Sequence, residues 1–160
     1  MPDMSAYRPN VGVVVFDRLG RVWLGRRAGE EGPYSWQFPQ GGVDEGEDFD
    51  AAALRELHEE TGISSVMFVA RTPDWIVYDF PPELLGTPKA KGWSGQKQIW
   101  YAYRFIGEDR EIDLAVHEEI EFDEWRWATL AEAQEAIVPF KRHVYATVAE
   151  AFTAFAKPVD

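Results

Sequence analysis

The chain is expected to fold as an α/β protein in which a mixed β-sheet is sandwiched between helices, and three features predict this. Short runs of strong β formers recur from residues 11–16 to residues 96–106. One stretch with helical spacing, residues 48–61, stands between them, and two more, 130–137 and 140–156, follow late in the chain. Strands with helices interposed in this way bury their apolar faces by covering both sides of one sheet.

The elements follow in order. Residues 11–16 (VGVVVF) read as a buried strand, and Asp17-Arg18-Leu19-Gly20 as a turn. Residues 21–26 (RVWLGR) alternate as a second strand, so a hairpin is expected. Residues 28–34 form a loop punctuated by Gly32-Pro33, and residues 36–38 a short extended piece ended by Pro39. The helix over 48–61 has an acidic first turn that suits the positive end of its dipole, and Gly62 caps its end. Residues 66–70 and 75–80 are strands, the second stopped by Pro81-Pro82. Residues 96–106 (QKQIWYAYRFI) form a long strand, 124–128 another, and 130–137 a short helix. In residues 140–156 the apolar positions Val144, Val148, Phe152 and Phe155 recur at helical spacing and predict an amphipathic C-terminal helix.

With 160 residues, 46% of them hydrophobic, one packed domain spanning 1–160 is expected rather than disorder. The absence of cysteine excludes disulfides, thiolate catalysis and Cys-ligated zinc, and suits a reducing compartment. The opening MPDMSAYRPN lacks the pattern of a signal peptide, and residues 11–16 are too few to span a bilayer. A cytoplasmic protein without a membrane role is expected. The net charge of −12 argues against duplex DNA as a partner but leaves room for an anionic substrate held locally. The chain gives no reading of a protein partner.

The most informative stretch is residues 41–63, GGVDEGEDFDAAALRELHEETGI. Glu56, Glu59 and Glu60 fall within an arc of about 100° on its helix, with Ala53, Leu54 and Leu57 expected towards the core. Carboxylates so placed repel one another, a cost that a hard cation with oxygen ligands relieves. Arg55 stands one turn before Glu59, where it can orient a ligand carboxylate, and Glu47 can reach back to it. Gly41-Gly42 lets backbone approach a ligand closely, so that a carbonyl near Gly41 can add an oxygen. An acidic helix face is ordinarily a solvated surface. Here, however, Gly41, Glu47, Arg55, Glu56, Glu59, Glu60 and Gly62 fit one spacing, G-x5-E-x7-R-E-L-x-E-E-x-G-I. Seven such identities coincide by chance on the order of once in 10⁸ placements.

This segment resembles the Nudix box, complete at its charged and glycine positions. The resemblance implies an α/β/α sandwich and Mg²⁺- or Mn²⁺-dependent hydrolysis of a nucleoside diphosphate linked to another group, with two or three ions per site. It implies that Glu56, Glu59 and Glu60 bind metal, to which the Gly41 carbonyl can add its oxygen, that one of the three carboxylates serves as base, and that Glu47 and Arg55 support loop and helix. Five further segments resemble the bacterial RNA pyrophosphohydrolases and dinucleoside polyphosphate hydrolases of that family: YRPNVGVVV (7–15), SWQFPQGG (35–42), GQKQIWY (95–101), EFDEWRW (121–127) and FKRHVY (140–145). By this likeness Glu121 completes the metal shell or acts as base. Arg8 clamps phosphate, Tyr78 marks a polyphosphate site, and Arg27, Ser35, Gln37, Phe140 and Lys141 contact an RNA base. An aromatic side chain flanked by cations suits an unstacked base. The loop at 29–34 is a few residues longer than in the enterobacterial members, and Ile99 replaces a more usual Lys.

The expected substrate is therefore 5′-triphosphate RNA, converted to 5′-monophosphate RNA by water attack on a phosphoanhydride. A dinucleoside polyphosphate hydrolase without an RNA role is the alternative, and a non-catalytic nucleotide- or RNA-binding module a remoter one. His58, His117 and His143 lack ligand spacing and read as structural or exposed. Most of the seven tryptophans are expected in the core, with Trp36 a further candidate for the pocket wall.

Overall fold

A computed structural model describes residues 4–159, so both ends of the expected 1–160 domain fall outside the described residues. Its central element is β1 (Tyr7–Phe16), which runs parallel to β7 (Gly95–Phe105) along its whole length, from Tyr7 opposite Gly95 to Phe16 opposite Arg104. Val11, Val13, Val14, Val15 and Phe16 are all fully buried. A strand covered on both faces has no polar side to show, which is why this one reads as an unbroken apolar run. Five of the eight strands of the sheet follow the path β3 (Trp36–Gln37), β2 (Val22–Arg27), β1, β7, β5 (Val66–Arg71). Off that path, β4 (Gln40–Gly42) pairs with β1, β6 (Ile76–Asp79) with β7, and β8 (Phe122–Ala128) with β2.

The alternation of side chains along β1 and β7 creates two cores. Val11, Val13, Val15, Tyr101 and Tyr103 meet Ala52, Ala53 and Leu57 of α1 (Phe49–Thr61). Val14, Phe16, Trp100 and Ala102 meet α2 (Leu130–Ala136) and α3 (Arg142–Phe152) through Ala133, Val144, Tyr145, Val148 and Phe152. Helices thus cover both faces of a mixed sheet, as expected. Among the described residues no helix is long and apolar enough to cross a membrane.

Local chemistry sets the helix ends. The Asp48 side chain accepts from Ala51 N at 3.2 Å to cap α1, and Gly62 ends it in the left-handed conformation at φ 76°. Thr129 and Glu132 form a reciprocal capping box on α2.

The structure corrects several expectations. β1 begins at Tyr7, not residue 11, because β7 offers it a partner throughout. The turn at 17–20 is present, held by the Asp17 carboxylate accepting from Leu19 N and Arg21 N. Beyond it the hairpin splays: β1 and β2 register only at Phe16 and Val22, while β2 pairs from Val22 to Arg27 with β8. Residues 40–42, for which the sequence predicts no element, form a strand against β1. Leu54 is 46% exposed rather than in the core, because α1 buries Ala52, Ala53, Leu57, Glu60 and Thr61 instead and leaves Leu54 off that face. The C-terminal helix is α3 between two 3₁₀ turns, Pro139–Lys141 and Thr153–Phe155, so Phe140 precedes it. Two tryptophans, Trp23 and Trp100, lie fully in the core, fewer than expected.

Candidate active site

The site is built where α1 meets the β3–β4 segment. That segment is pinned from below: the buried Tyr145 hydroxyl accepts from Phe38 N at 2.9 Å, and Val13 N donates to Pro39 O at 2.9 Å. β4 then carries Gln40, Gly41 and Gly42 past the acidic side of α1.

Arg55 organises that side. Its Nε donates to Glu47 Oε2 at 2.7 Å and its Nη2 to Glu47 Oε1 at 2.9 Å, a bidentate pair, while Nη2 also meets Gly42 O at 3.0 Å. Its Nη1 donates to Glu56 Oε1 at 2.8 Å and Glu59 Oε2 at 3.2 Å. The guanidinium holds the Glu47 carboxyl down at about 2. Glu56 packs so tightly on Gly41 that any Cβ there would overlap its carboxylate. Burial pushes the Glu56 carboxyl up, against the pull of Arg55.

Glu60 is not on a solvated face. It is 7% exposed, accepts from Gln40 N at 3.1 Å, and its carboxyl is pushed well above the usual range by burial, then by the charges of Glu121 and Glu56. Glu121, just ahead of β8, thus faces the α1 cluster from the other side. Among the described residues, no three His, Cys, Asp or Glu side chains stand ready to hold a metal ion. Glu56 and Glu59 turn their oxygens to Arg55, and Glu60 turns one to the Gln40 amide. The donor set itself fits a hard divalent cation: all oxygen, strongly negative, and partly buried at mutual electrostatic cost.

Glu121 and Gln40 also line a cavity of about 470 Å³. Of the expected substrate residues, the structure brings Arg27, Gln37, Tyr78, Phe140 and Lys141 together on its walls. The Tyr78 and Phe140 rings are 5.9 Å apart, and Lys141 Nζ lies 5.4 Å from the first and 6.0 Å from the second. Lys141 is 9% exposed, and burial with the nearby charges of Arg27 and Lys89 brings its ammonium down to about 8. Arg27 is aimed by Gln37 Oε1 at 3.3 Å and Tyr34 O at 3.0 Å.

Two expected residues are placed differently. The Arg8 guanidinium packs against Gly42 outside the cavity wall, and its charge acts on Tyr78. Ser35 is buried, and its hydroxyl donates to Gly32 O at 3.1 Å, which closes the preceding loop instead of lining the cavity. Trp36 packs under the Arg126 guanidinium, 4.8 Å from its ring centre, and leaves the cavity wall to its neighbour Gln37. The histidines bond or act elsewhere: His143 Nε2 lies 3.2 Å from Val77 O, His117 Nδ1 accepts from Glu119 N at 3.3 Å, and the charge of His58 acts on Glu111.

Sequence reasoning missed a buried amide chain. Gln98 Nε2 donates to Asn10 Oδ1 at 2.7 Å and Gln40 Oε1 at 3.3 Å, while its own oxygen accepts from Trp100 Nε1 at 2.9 Å. Gln96 receives the Tyr78 hydroxyl. Two glutamines spaced by two on one strand, Gln96 and Gln98, were the available signal, since both must share a face. Lys89 and Leu84, from the 80–94 connection, also line the cavity, and nothing in that stretch announces it.

Comparison with known proteins identifies the family and the fold. A NUDIX domain model matches residues 6–148. The chain is 62% identical over 156 residues to the RNA pyrophosphohydrolase of Caulobacter vibrioides (strain NA1000 / CB15N), covering 97% of this chain and 91% of that protein. Among solved structures, the E. coli dihydroneopterin triphosphate pyrophosphohydrolase superposes with a TM-score of 0.68 at 21% identity, over 91% of this chain and 98% of that one. A C. elegans Ap4A hydrolase binary complex gives a TM-score of 0.65 at 22% identity, over 92% and 98%. At such identities these two likenesses are of fold alone.

Proposed function

This chain belongs to the Nudix family, and we propose that it is a metal-dependent RNA pyrophosphohydrolase, converting 5′-triphosphate RNA ends to 5′-monophosphate. The observation behind this reading is the junction of two unlike surfaces at Glu121. On one side stand the Glu56, Glu59 and Glu60 carboxylates, and on the other a cavity walled by aromatic rings and cations. A polyphosphate on the first and a base in the second is the form of a nucleotide 5′ end. The name of the 62%-identical relative supports the same substrate.

In this reading Glu56, Glu59, Glu60, Glu121 and the Gly41 carbonyl hold two or three Mg²⁺ or Mn²⁺ ions. Bound there, such ions neutralise phosphate charge and make a water acidic enough to attack. Glu56 and Glu59, which bond Arg55 here, would supply carboxylate oxygens to bound ions, while Glu47 keeps the guanidinium in place. A carboxylate of the cluster, Glu59, Glu60 or Glu121, accepts the proton of the attacking water. The water oxygen bonds to phosphorus as one P–O–P bond breaks: a single attack at the α-phosphorus releases pyrophosphate, and two attacks in turn, each with its own water, release phosphate twice. Arg8 braces the phosphates from beside Gly42. Arg27, Gln37, Tyr78, Phe140 and Lys141 hold the base, and Ser35 acts by closing the loop that aims Arg27. The work is that of a cytoplasmic enzyme, and duplex DNA and membranes are not partners.

The deciding experiment compares kcat/KM for 5′-triphosphate RNA and diadenosine tetraphosphate with Mg²⁺ on one preparation. A preference for RNA is expected. Faster cleavage of the dinucleotide would move the assignment to dinucleoside polyphosphates, and nucleotide binding without Mg²⁺-dependent cleavage of either substrate would overturn both.

A further inference from the structure

The 80–94 connection carries a cation that the reading above does not use. It is a built wall rather than a loose excursion. Phe80 N donates to Ser94 O at 2.9 Å and Ser94 N to Ala6 O at 2.9 Å, closing its base. Between them successive turns stack: Leu84 N to Pro81 O at 2.9 Å, Thr87 N to Leu84 O at 3.1 Å, Ala90 N to Thr87 O at 3.1 Å. Ala90, 3% exposed, plugs this wall into the cavity, and Lys89 beside it is set on the rim.

Three cations converge on that cavity, graded by depth. Lys141 is buried, Arg27 half-buried and Lys89 exposed. Among the described residues Lys89 Nζ has no hydrogen-bond or ion-pair partner, although Glu30 and Glu83 share its rim. In a chain of net charge −12 with acids at hand, such a cation is available to a ligand. It is close enough for its charge to press on Lys141. The polyphosphate end of a substrate is fixed by the carboxylates of α1 and by Glu121, and its base by the rings of Tyr78 and Phe140. The next anionic group along an RNA strand is the phosphodiester leading 3′ from that nucleotide, and it leaves the cavity over the rim.

Resting on the RNA reading above, we propose that Lys89 is a specificity-determining residue that binds the phosphodiester 3′ of the nucleotide held in the cavity. It thereby favours an RNA chain over nucleotides that lack such a group. An ammonium on a flexible stem suits this task, since it meets a phosphate as a point charge without demanding one orientation.

The test uses Lys89→Ala and Lys89→Arg in the full chain with Mg²⁺. For Lys89→Ala, the ratio of kcat/KM on 5′-triphosphate RNA to that on diadenosine tetraphosphate is expected to fall about fivefold, mainly through KM. The slope of log affinity for a 5′-monophosphate RNA against log salt should shrink by about 0.7, one single-strand phosphate contact. Lys89→Arg should restore both. An equal loss on the two substrates, or an unchanged salt slope, would overturn the proposal. The binding arm keeps the two claims apart. If the wild-type protein fails to cleave triphosphate RNA, the functional reading falls, while the salt slope still judges Lys89 as a phosphodiester contact.

Discussion

Arg55 and Glu47 meet fork to fork across the turn that leads into α1, through paired bonds of 2.7 and 2.9 Å. The same guanidinium reaches Glu56, Glu59 and the Gly42 carbonyl. One side chain therefore sets the spacing between the acidic helix and the glycine strand. Lysine cannot reproduce this, because it has neither the planar fork nor enough donors. Arg55→Lys is expected to lower kcat on RNA about 10- to 100-fold, in line with losses at residues that orient metal ligands. Far-UV circular dichroism should remain that of the wild type.

The acid side of the stability profile should show the same pair. Glu47 titrates in the folded chain at about 2, below its ordinary value of 4.5. Its contribution to stability is thus fully present above about 4.5 and is lost as pH falls towards 2. Glu47→Gln should flatten the fall in melting temperature over that window. A profile identical to the wild type would remove the pair from acid unfolding.

Glu60 has the opposite sign. Burial and neighbouring carboxylates raise its pKa, so without a cation its ionised form destabilises the fold as pH rises through the raised value. In EDTA at neutral pH, Glu60→Gln should melt at a higher temperature than the wild type. Millimolar Mg²⁺ should raise the wild-type melting temperature and move the variant much less, since only the native carboxylate set binds the ion. Turnover by the variant should fall by two or more orders of magnitude.

Lys141 links binding to pH near neutrality. Its ammonium titrates at about 8 in the folded chain against 10.5 ordinarily. Below about 8 both folded and unfolded chains carry the proton, so the full cost of burial applies. Between about 8 and 10.5 the unfolded chain binds more protons and stability rises with pH. Substrate affinity should move the other way: kcat/KM on RNA is expected to drop as pH rises through about 8, and Lys141→Met should lose that step.

Two glycines separate fold from function. A Cβ on Gly41 would displace the Glu56 carboxylate, whereas one on Gly12 would strike the Trp100 ring in the core. Gly41→Ala should keep the wild-type melting temperature within a few degrees and lose about 10- to 100-fold in kcat. Gly12→Ala should cost about 1–3 kcal/mol by overpacking, read from chemical denaturation.

What was legible in the sequence is what short-range physics decides. Asp48 and Gly62 mark the ends of α1 through bonds to their own neighbours, and the Glu56, Glu59, Glu60 spacing follows from helix geometry. What was not legible depends on distant partners. The splayed hairpin could not be foreseen because β2 takes its ladder from β8, and Arg26 lies 97 positions before Asp123, to which it bonds. Leu54 is exposed because the buried face of α1 is centred on Ala53, Leu57 and Glu60, a choice made by the sheet and β4 and not by the spacing of apolar residues. The burial of Glu60 is not legible either, because the strand that bonds it, β4, has only three residues and no pattern of its own. Lys89 reaches the cavity through a stack of turns that no periodicity reports.

The ladder joining Asn10 to Gln98 spans 88 positions, and this separation has a consequence for synthesis. As the ribosome releases the valine-rich opening segment, its main neighbour has not yet been translated. For more than half of elongation the backbone groups on the edge that will face β7 must wait in water, exposed to any passing strand. Fragments that stop short of Gly95 should aggregate, and slowed translation beyond that point should cost little soluble yield.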